Sequence, residues 1–382
     1  MAAAKLDQLI RTRRVLITVG AGGVGKTTTA AALAVAAARE GKRVLCLTID
    51  PAKRLAESLG LRTIETEAAK IDKRRFEDAG VPMKGELTVM MLDTKTTFDE
   101  LVNKYSSSPD KAKKLLDNKL YKYVSTSLAG TQEYMAVEKL VAVKDDPKWD
   151  LVVLDTPPTA NALDFLDAPE RLMDALDSAT MKWFVQAFEK SGRLSLNILA
   201  KSAAVVLRGI GKITGGGFLE AMAELITELN DLFGGFKQRA AIVHETLRSN
   251  DVAFVLVTSP APMSLREVRY FAERLIEHEM PLGAFVVNRL HVPPRGASAP
   301  ATAEQAAAAI RAAGLEPVLG EDGGSRVARA HADAFALAAL DARNVKVIDE
   351  FKSRAPLVSV PELASDVHDL ALLAQLADTL TA

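Results

Sequence analysis

The chain has 382 residues, 48% hydrophobic and 25% charged, and its 48 basic and 49 acidic side chains nearly cancel. That balance removes any bulk electrostatic case for a nucleic-acid or anionic-membrane partner, and no run of about 18 uncharged apolar residues offers an integral membrane segment. A single cysteine excludes an internal disulfide, and histidines scattered at 244, 278, 291, 331 and 368 form no metal cluster. Length alone allows two or three domains, but an α/β fold with insertions absorbs it as one.

Met1 to Arg11 lacks a signal peptide's apolar core and reads as a short amphipathic helix, so a cytoplasmic location is expected. Val15-Leu-Ile-Thr-Val19 is apolar and β-branched, the pattern of a buried strand. Gly20-Ala-Gly-Gly-Val-Gly-Lys-Thr-Thr28 follows and fits G-x-x-x-x-G-K-[ST]; Thr27 to Glu40, with seven alanines, then reads as a helix. Glycines let the backbone wrap a polyphosphate with its N–H groups inward, and the helix start adds a positive dipole end. Lys26 would reach the β- and γ-phosphates and the Thr27 hydroxyl would ligate Mg²⁺. A plain glycine-rich turn is the poorer reading, because strand and helix are both in place. The expected ligand is a nucleoside triphosphate.

The strand over 43–49 contains Cys46, read as a small buried hydrophobe, and ends in Asp50-Pro51-Ala52-Lys53. An acid there lies next to the nucleotide, where Asp50 could orient or deprotonate the attacking water. The same residue could instead cap a helix over Ala52–Leu59 with Pro51 in its first turn. Strand 86–92 precedes a charged helical segment, 94–148. Trp149-Asp-Leu-Val-Val-Leu-Asp155-Thr-Pro-Pro-Thr159 then gives a strand over 151–155 ending in an acid, so that Asp155 would bind Mg²⁺ directly or through water. A second helical segment, 161–250, is more apolar and is punctuated by Gly215–Gly217 and Gly234-Gly235. Strands over 253–258, 284–288 and 357–360 follow. Between and after them come a helix over Ala301–Ala313, a loop over Gly320–Ser325, a long helix over Arg326–Lys352 and a closing helix over Asp366–Leu380. Alternating strands and helices predict an α/β fold with a mostly parallel sheet sandwiched by helices. No internal repeat is present.

The three motifs together resemble those of the arsenite-pump and tail-anchored-protein-targeting ATPases, MinD-related P-loop enzymes that work as nucleotide-sandwich dimers. The resemblance extends to Leu92-Asp-Thr-Lys-Thr-Thr-Phe-Asp-Glu-Leu101, to Val286-Val-Asn288-Arg289 and to Val360-Pro361-Glu362, so it covers nearly the whole chain. It implies a single P-loop ATPase domain over 1–382, with 94–148 and 161–250 as helical insertions, and ATP and Mg²⁺ as ligands. Gly20, Ala21, Gly22, Gly23, Val24, Gly25, Lys26, Thr27 and Thr28 would then form the phosphate site, with Lys26 and Asp50 as the catalytic pair. Thr27, Asp50 and Asp155 would serve Mg²⁺, and Asp155 to Thr159 would be the switch that senses the γ-phosphate. Asn288 matches the adenine-reading asparagine and Pro361 would lie by the base; without the resemblance, Asn288 reads as a turn residue after a strand.

Four departures bear on function. Ala21 stands where these ATPases carry a lysine that reaches the partner's phosphates, and comparable trans-acting charges contribute about 10³–10⁵ in rate. A homodimer would therefore bind ATP and hydrolyse it slowly, or a lysine-bearing paralogue would supply the charge in a heterodimer. The Cys-x-x-Cys that joins eukaryotic tail-anchor dimers through zinc is absent. One cysteine cannot make a thiolate site for trivalent arsenic, which argues against arsenite transport. Ala160-Asn161-Ala162-Leu163-Asp164 replaces the Gly-His-Thr-Leu-Arg usual after the third motif.

Residues 169–238 are the candidate client-binding subdomain. Phe218, Leu219, Met222, Leu225, Ile226, Leu229, Leu232 and Phe233 recur at helical steps, as do Met181, Phe184, Val185 and Phe188. Such stripes are ordinary core or, as the resemblance implies, an apolar groove for hydrophobic protein segments. The expected function is a Mg²⁺-dependent, dimerising ATPase that binds such segments. The alternatives are a low-turnover regulatory subunit and, less favoured, an anion pump or a MinD-like positioning ATPase. The last would need a basic membrane helix, and Asp366–Ala382 contains no Lys or Arg.

Overall fold

The computed structural model describes residues 6–49, 54–61, 66–118, 121, 125, 131–156, 225, 238–294, 296–363 and 365–382. Eight strands form one sheet: β1 (Val15–Val19), β2 (Arg43–Thr48), β3 (Ala69–Lys70), β4 (Glu86–Met91), β5 (Leu151–Asp155), β6 (Val252–Thr258), β7 (Leu282–Leu290) and β8 (Leu357–Pro361). Their order is β3-β4-β2-β5-β1-β6-β7-β8, and every pairing is parallel except β3 with β4. The fold is thus the mostly parallel α/β sheet that the apolar runs predict: β1, β5 and β6 are buried at every position, as strands covered on both faces must be.

Helices cover both faces. On one side lie α1 (Leu6–Thr12), α2 (Lys26–Arg39), α3 (Arg54–Ser58), α4 (Lys73–Asp78) and the C-terminal helix Leu370–Thr381, sharing one apolar core with Leu16, Val44, Cys46 and Val153. Nearly every residue of α2 is buried, Ala30 to Ala38 among them, because it is sandwiched between the sheet and Leu370–Thr381. Alanine suits that place, since only a helix with small side chains is admitted so closely on two sides.

The other face carries a second core, in which Ile17, Leu154, Phe254 and Phe285 meet Thr131–Lys144, the helix over 238–248, Pro262–Glu277 and the 3₁₀ turn Lys346–Phe351. A third, smaller cluster joins α5 (Thr94–Tyr105) and α6 (Pro109–Asp117) to Tyr121, Tyr134, Leu225 and Ala240. We number Thr131–Lys144 α7, the helix over 238–248 α8 and Pro262–Glu277 α9. A buried ion pair ties α7 to α8: Arg239 Nε donates to Glu138 Oε2 at 2.7 Å, and the Tyr134 hydroxyl donates to Oε1 at 2.7 Å.

Several boundaries differ from the sequence reading. The loop expected over Gly320–Ser325 is already helical from Gly323, and the long helix runs Gly323–Val345 before tightening into the 3₁₀ turn, rather than continuing to Lys352. The glycines are packing devices here. A Cβ on Gly324 would sit 2.8 Å from Ala307 Cβ and 2.9 Å from Ala303 O, so only glycine lets this helix approach Ala303–Ala312. β3 has two exposed residues and no apolar signal to read. β7 is longer at both ends than 284–288. Among the described residues, no helix is long and apolar enough to cross a membrane.

Candidate active site

The loop Gly20–Gly25 leaves the carboxyl end of β1, the fourth strand in from the β8 edge and flanked by β5 and β6. Its shape needs glycine at defined points. A Cβ on Gly20 would fall 1.9 Å from the Val257 carbonyl oxygen on β6, so the loop begins pressed against the neighbouring backbone. Gly23 and Gly25 hold φ of +76° and +95°, the left-handed region that costs a residue with a Cβ about 1–2 kcal/mol. Gly22 and Gly23 are exposed, whereas Ala21 and Val24 turn into the core. Gly25 caps α2 without a side-chain bond, so the first-turn N–H groups at Lys26, Thr27 and Thr28 rely on something other than a capping side chain. A loop of this kind over a helix start is an anion cradle.

Lys26 is buried, and its Nζ donates to the Ala21 carbonyl at 2.8 Å across the loop. Thr27 and Thr28 are half-buried in the first turn. Asp155 ends β5 fully buried, and register places it opposite both Thr18 of β1 and Thr48 of β2. The Thr48 hydroxyl donates to Asp155 Oδ2 at 3.0 Å. One residue on, the Thr156 hydroxyl donates to Thr18 O at 2.7 Å, which pins the chain leaving β5 to the P-loop strand. Burial, and after it the Asp155 carboxylate, push the Cys46 thiol well up, so this cysteine stays a neutral apolar filler.

Asn288 and Pro361 lie on adjacent strands at the same end of the sheet. Asn288 Nδ2 donates to Val24 O at 2.9 Å, and Pro361 pairs with Leu290. Beyond them His291 Nδ1 donates to Asp341 Oδ2 at 2.7 Å, while its Nε2 lies 3.3 Å from Glu362. Asp341 also accepts from the His291 backbone N–H at 2.9 Å.

The structure therefore brings the expected P-loop, Asp155, Asn288 and Pro361 to one end of the sheet. Asp50, Thr159 and the rest of 157–160 lie outside the described residues, as do 169–238 apart from Leu225 and Gln238. Thr18, Thr48, His291 and Asp341 were given no role from sequence, and Thr156 entered only as part of the 155–159 switch. Their only sequence signals are hydroxyls at strand ends, one histidine among five scattered ones, and one of two acids in the alanine-rich stretch Ala332–Arg343.

A model of the anion-transporting ATPases matches residues 13–307, from before β1 into the helix Ala303–Ala312. The chain belongs to that family. As a member it is an ATP hydrolase. It is similar to the ATPase GET3 of Mycosarcoma maydis, 27% identical over 290 residues covering 75% of each chain. It is also similar to the ATPase GET3 of Malassezia globosa, 25% identical over 288 residues and 72% of each chain. Against that of Aspergillus terreus the identity is 26% over 288 residues, 75% of this chain and 76% of the relative.

Mg²⁺, the ion such ATPases use with ATP, meets suitable chemistry here. The Thr27 hydroxyl and the Asp155 carboxylate are hard oxygen donors, and Mg²⁺ is bound through one or two carboxylates together with phosphates and retained waters.

Proposed function

We propose that the chain is a Mg²⁺-dependent ATPase that switches between nucleotide states as a dimer and, when ATP-loaded, binds hydrophobic segments of client proteins. The observation that carries this reading is the placement of Asp155 opposite Thr18, two residues before the phosphate loop, in a chain of the ATPase family. In this account the loop from Gly20 to Thr28 binds the phosphates, and Lys26 neutralises charge developing at the β- and γ-phosphates. Thr27 and Asp155 hold Mg²⁺ together with Asp50, which also positions the attacking water. Asn288 and Pro361 bound the base. Mg²⁺, when bound, supplies charge neutralisation at the phosphates.

Steady-state hydrolysis by the purified chain, with particle mass measured in the same samples, tests the switch. Turnover abolished by Asp50→Asn together with an ATP-dependent dimer is expected. A hydrophobic helix peptide that binds no better with ATP than with ADP would remove the client reading.

Ala21 favours a second reading, a low-turnover subunit that pairs with a lysine-bearing paralogue. Its side chain is buried at 7% exposure and carries no charge for a partner's phosphates. Ala21→Lys is then expected to raise hydrolysis by about tenfold or more, given what trans-acting cations contribute. An unchanged rate would count against a missing cross-dimer charge.

A further inference from the structure

We propose that Asn288 is a positioning residue of the phosphate loop, holding the Val24–Gly25 peptide in the form that receives a polyphosphate, whatever contact it also makes with a base. The inference rests on the nucleotide-site reading above.

Two contacts carry it. Asn288 Nδ2 donates to the Val24 carbonyl at 2.9 Å, a bond spanning 264 residues of sequence. A trans peptide directs its C=O and N–H to opposite sides. Fixing the Val24 carbonyl on Asn288 therefore fixes the direction of the Gly25 N–H, one of the donors of the cradle. The second contact is steric: a Cβ on Gly25 would lie 2.3 Å from Asn288 Nδ2. The last glycine of the loop and the asparagine interlock, and neither can move without the other. A residue that served only to read a base would need no bond to the loop backbone.

The strand is bent and anchored at this point. β7 stays in register with β8 as far as Val287 opposite Ser359, then shifts before Leu290 meets Pro361. Arg289, next to Asn288, adopts φ of +58°, unfavourable for a residue with a Cβ and retained only where its surroundings over-determine it. The surroundings do so on the far side. The Glu362 N–H donates to Leu290 O, and His291 is held at both its backbone N–H and Nδ1 by Asp341 from the long helix. The kink thus presents Asn288 to the loop from a fixed base.

The test compares Asn288→Ala with the wild-type chain by calorimetry, using ATP and, separately, inorganic tripolyphosphate, both with excess Mg²⁺. Tripolyphosphate has no base, so only the loop can report. We expect both ligands to weaken by the same factor, about tenfold, the scale of one lost hydrogen bond. Faster amide exchange at Val24–Lys26 with an unchanged melting temperature would accompany it. ATP weakened with tripolyphosphate unaffected would overturn the proposal and leave Asn288 a base contact alone; no change with either ligand would also overturn it. A wild-type chain that binds neither ligand would remove the nucleotide-site reading and the proposal with it. Should the alanine variant not fold, Asn288→Ser, whose hydroxyl is too short to reach Val24, gives the same comparison.

Discussion

Replacing Arg239 by methionine isolates the buried pair that joins α7 to α8. The Glu138 side chain is 1% exposed and that of Arg239 14%, with Nε and Oε2 2.7 Å apart. Removing one partner of such a pair leaves a charge without compensation and costs about 3–5 kcal/mol. The Tyr134 hydroxyl still donates to Oε1 in the variant, and a hydrogen bond to a charged group retains about 1.5–3 kcal/mol, so the loss should fall near 3 kcal/mol. Methionine preserves most of the side-chain volume, which keeps cavity effects small. The assay is urea unfolding of the wild type, Arg239→Met, and Arg239→Met combined with Glu138→Gln. Glutamine removes the charge and keeps an acceptor for Tyr134, so the double variant should regain at least half of the loss. A single variant within about 1 kcal/mol of wild type, or a glutamine that lowers stability further, would refute the reasoning, since both depend on a stranded carboxylate.

Thr48→Val should weaken Mg²⁺-dependent ATP binding about five- to tenfold by removing the donor to Asp155, while Thr48→Ser keeps it; a Mg²⁺ titration at fixed nucleotide separates the two. Gly324→Ala should lower stability by about 1–3 kcal/mol through overpacking against Ala307 and Ala303, less at most about 1 kcal/mol of improved helix propensity, as read by thermal unfolding. Asp150 is held at about 2, chiefly by its hydrogen bond to Arg43. A depressed carboxylate stabilises the fold above its unfolded value near 4 and loses that contribution as pH falls toward 2. Wild type should therefore exceed Asp150→Asn in stability by a modest margin at pH 7, about 0.5–1 kcal/mol for so exposed a pair, and the gap should narrow from pH 5 to pH 3. A gap that widens on acidification would contradict the assignment.

Features written in contiguous residues were legible from sequence, and features made by distant residues were not. The strands at 15–19 and 151–155 are apolar runs interrupted only by Thr18 and the terminal Asp155, and the phosphate loop is a local pattern whose glycines and flanking elements adjoin. Thr48 meets Asp155 only because two strands 107 residues apart pair in register, and a threonine at a strand end carries no mark of that. Asp341 looks like one more surface charge until the helix Gly323–Val345 brings it to His291. Gly323 and Gly324 mislead in the opposite sense, since glycine signals a break locally and close approach in the fold. Asn288 was placed by likeness to a family; its bond to the loop backbone has no counterpart in sequence.

The position of β1 has a consequence for how the chain comes off the ribosome. Its two neighbours are β5, completed at Asp155, and β6, completed at Thr258, so the strand bearing the phosphate loop is made early and flanked late. At about 5–20 residues per second, the second neighbour follows β1 by roughly 10–50 s. Throughout that interval the β6-facing edge of a strand apolar but for Thr18 waits with its N–H and C=O groups unpaired, a situation in which nascent chains are prone to stick to one another. Holding factors that act during synthesis, or slower growth at low temperature, should therefore raise the yield of native protein.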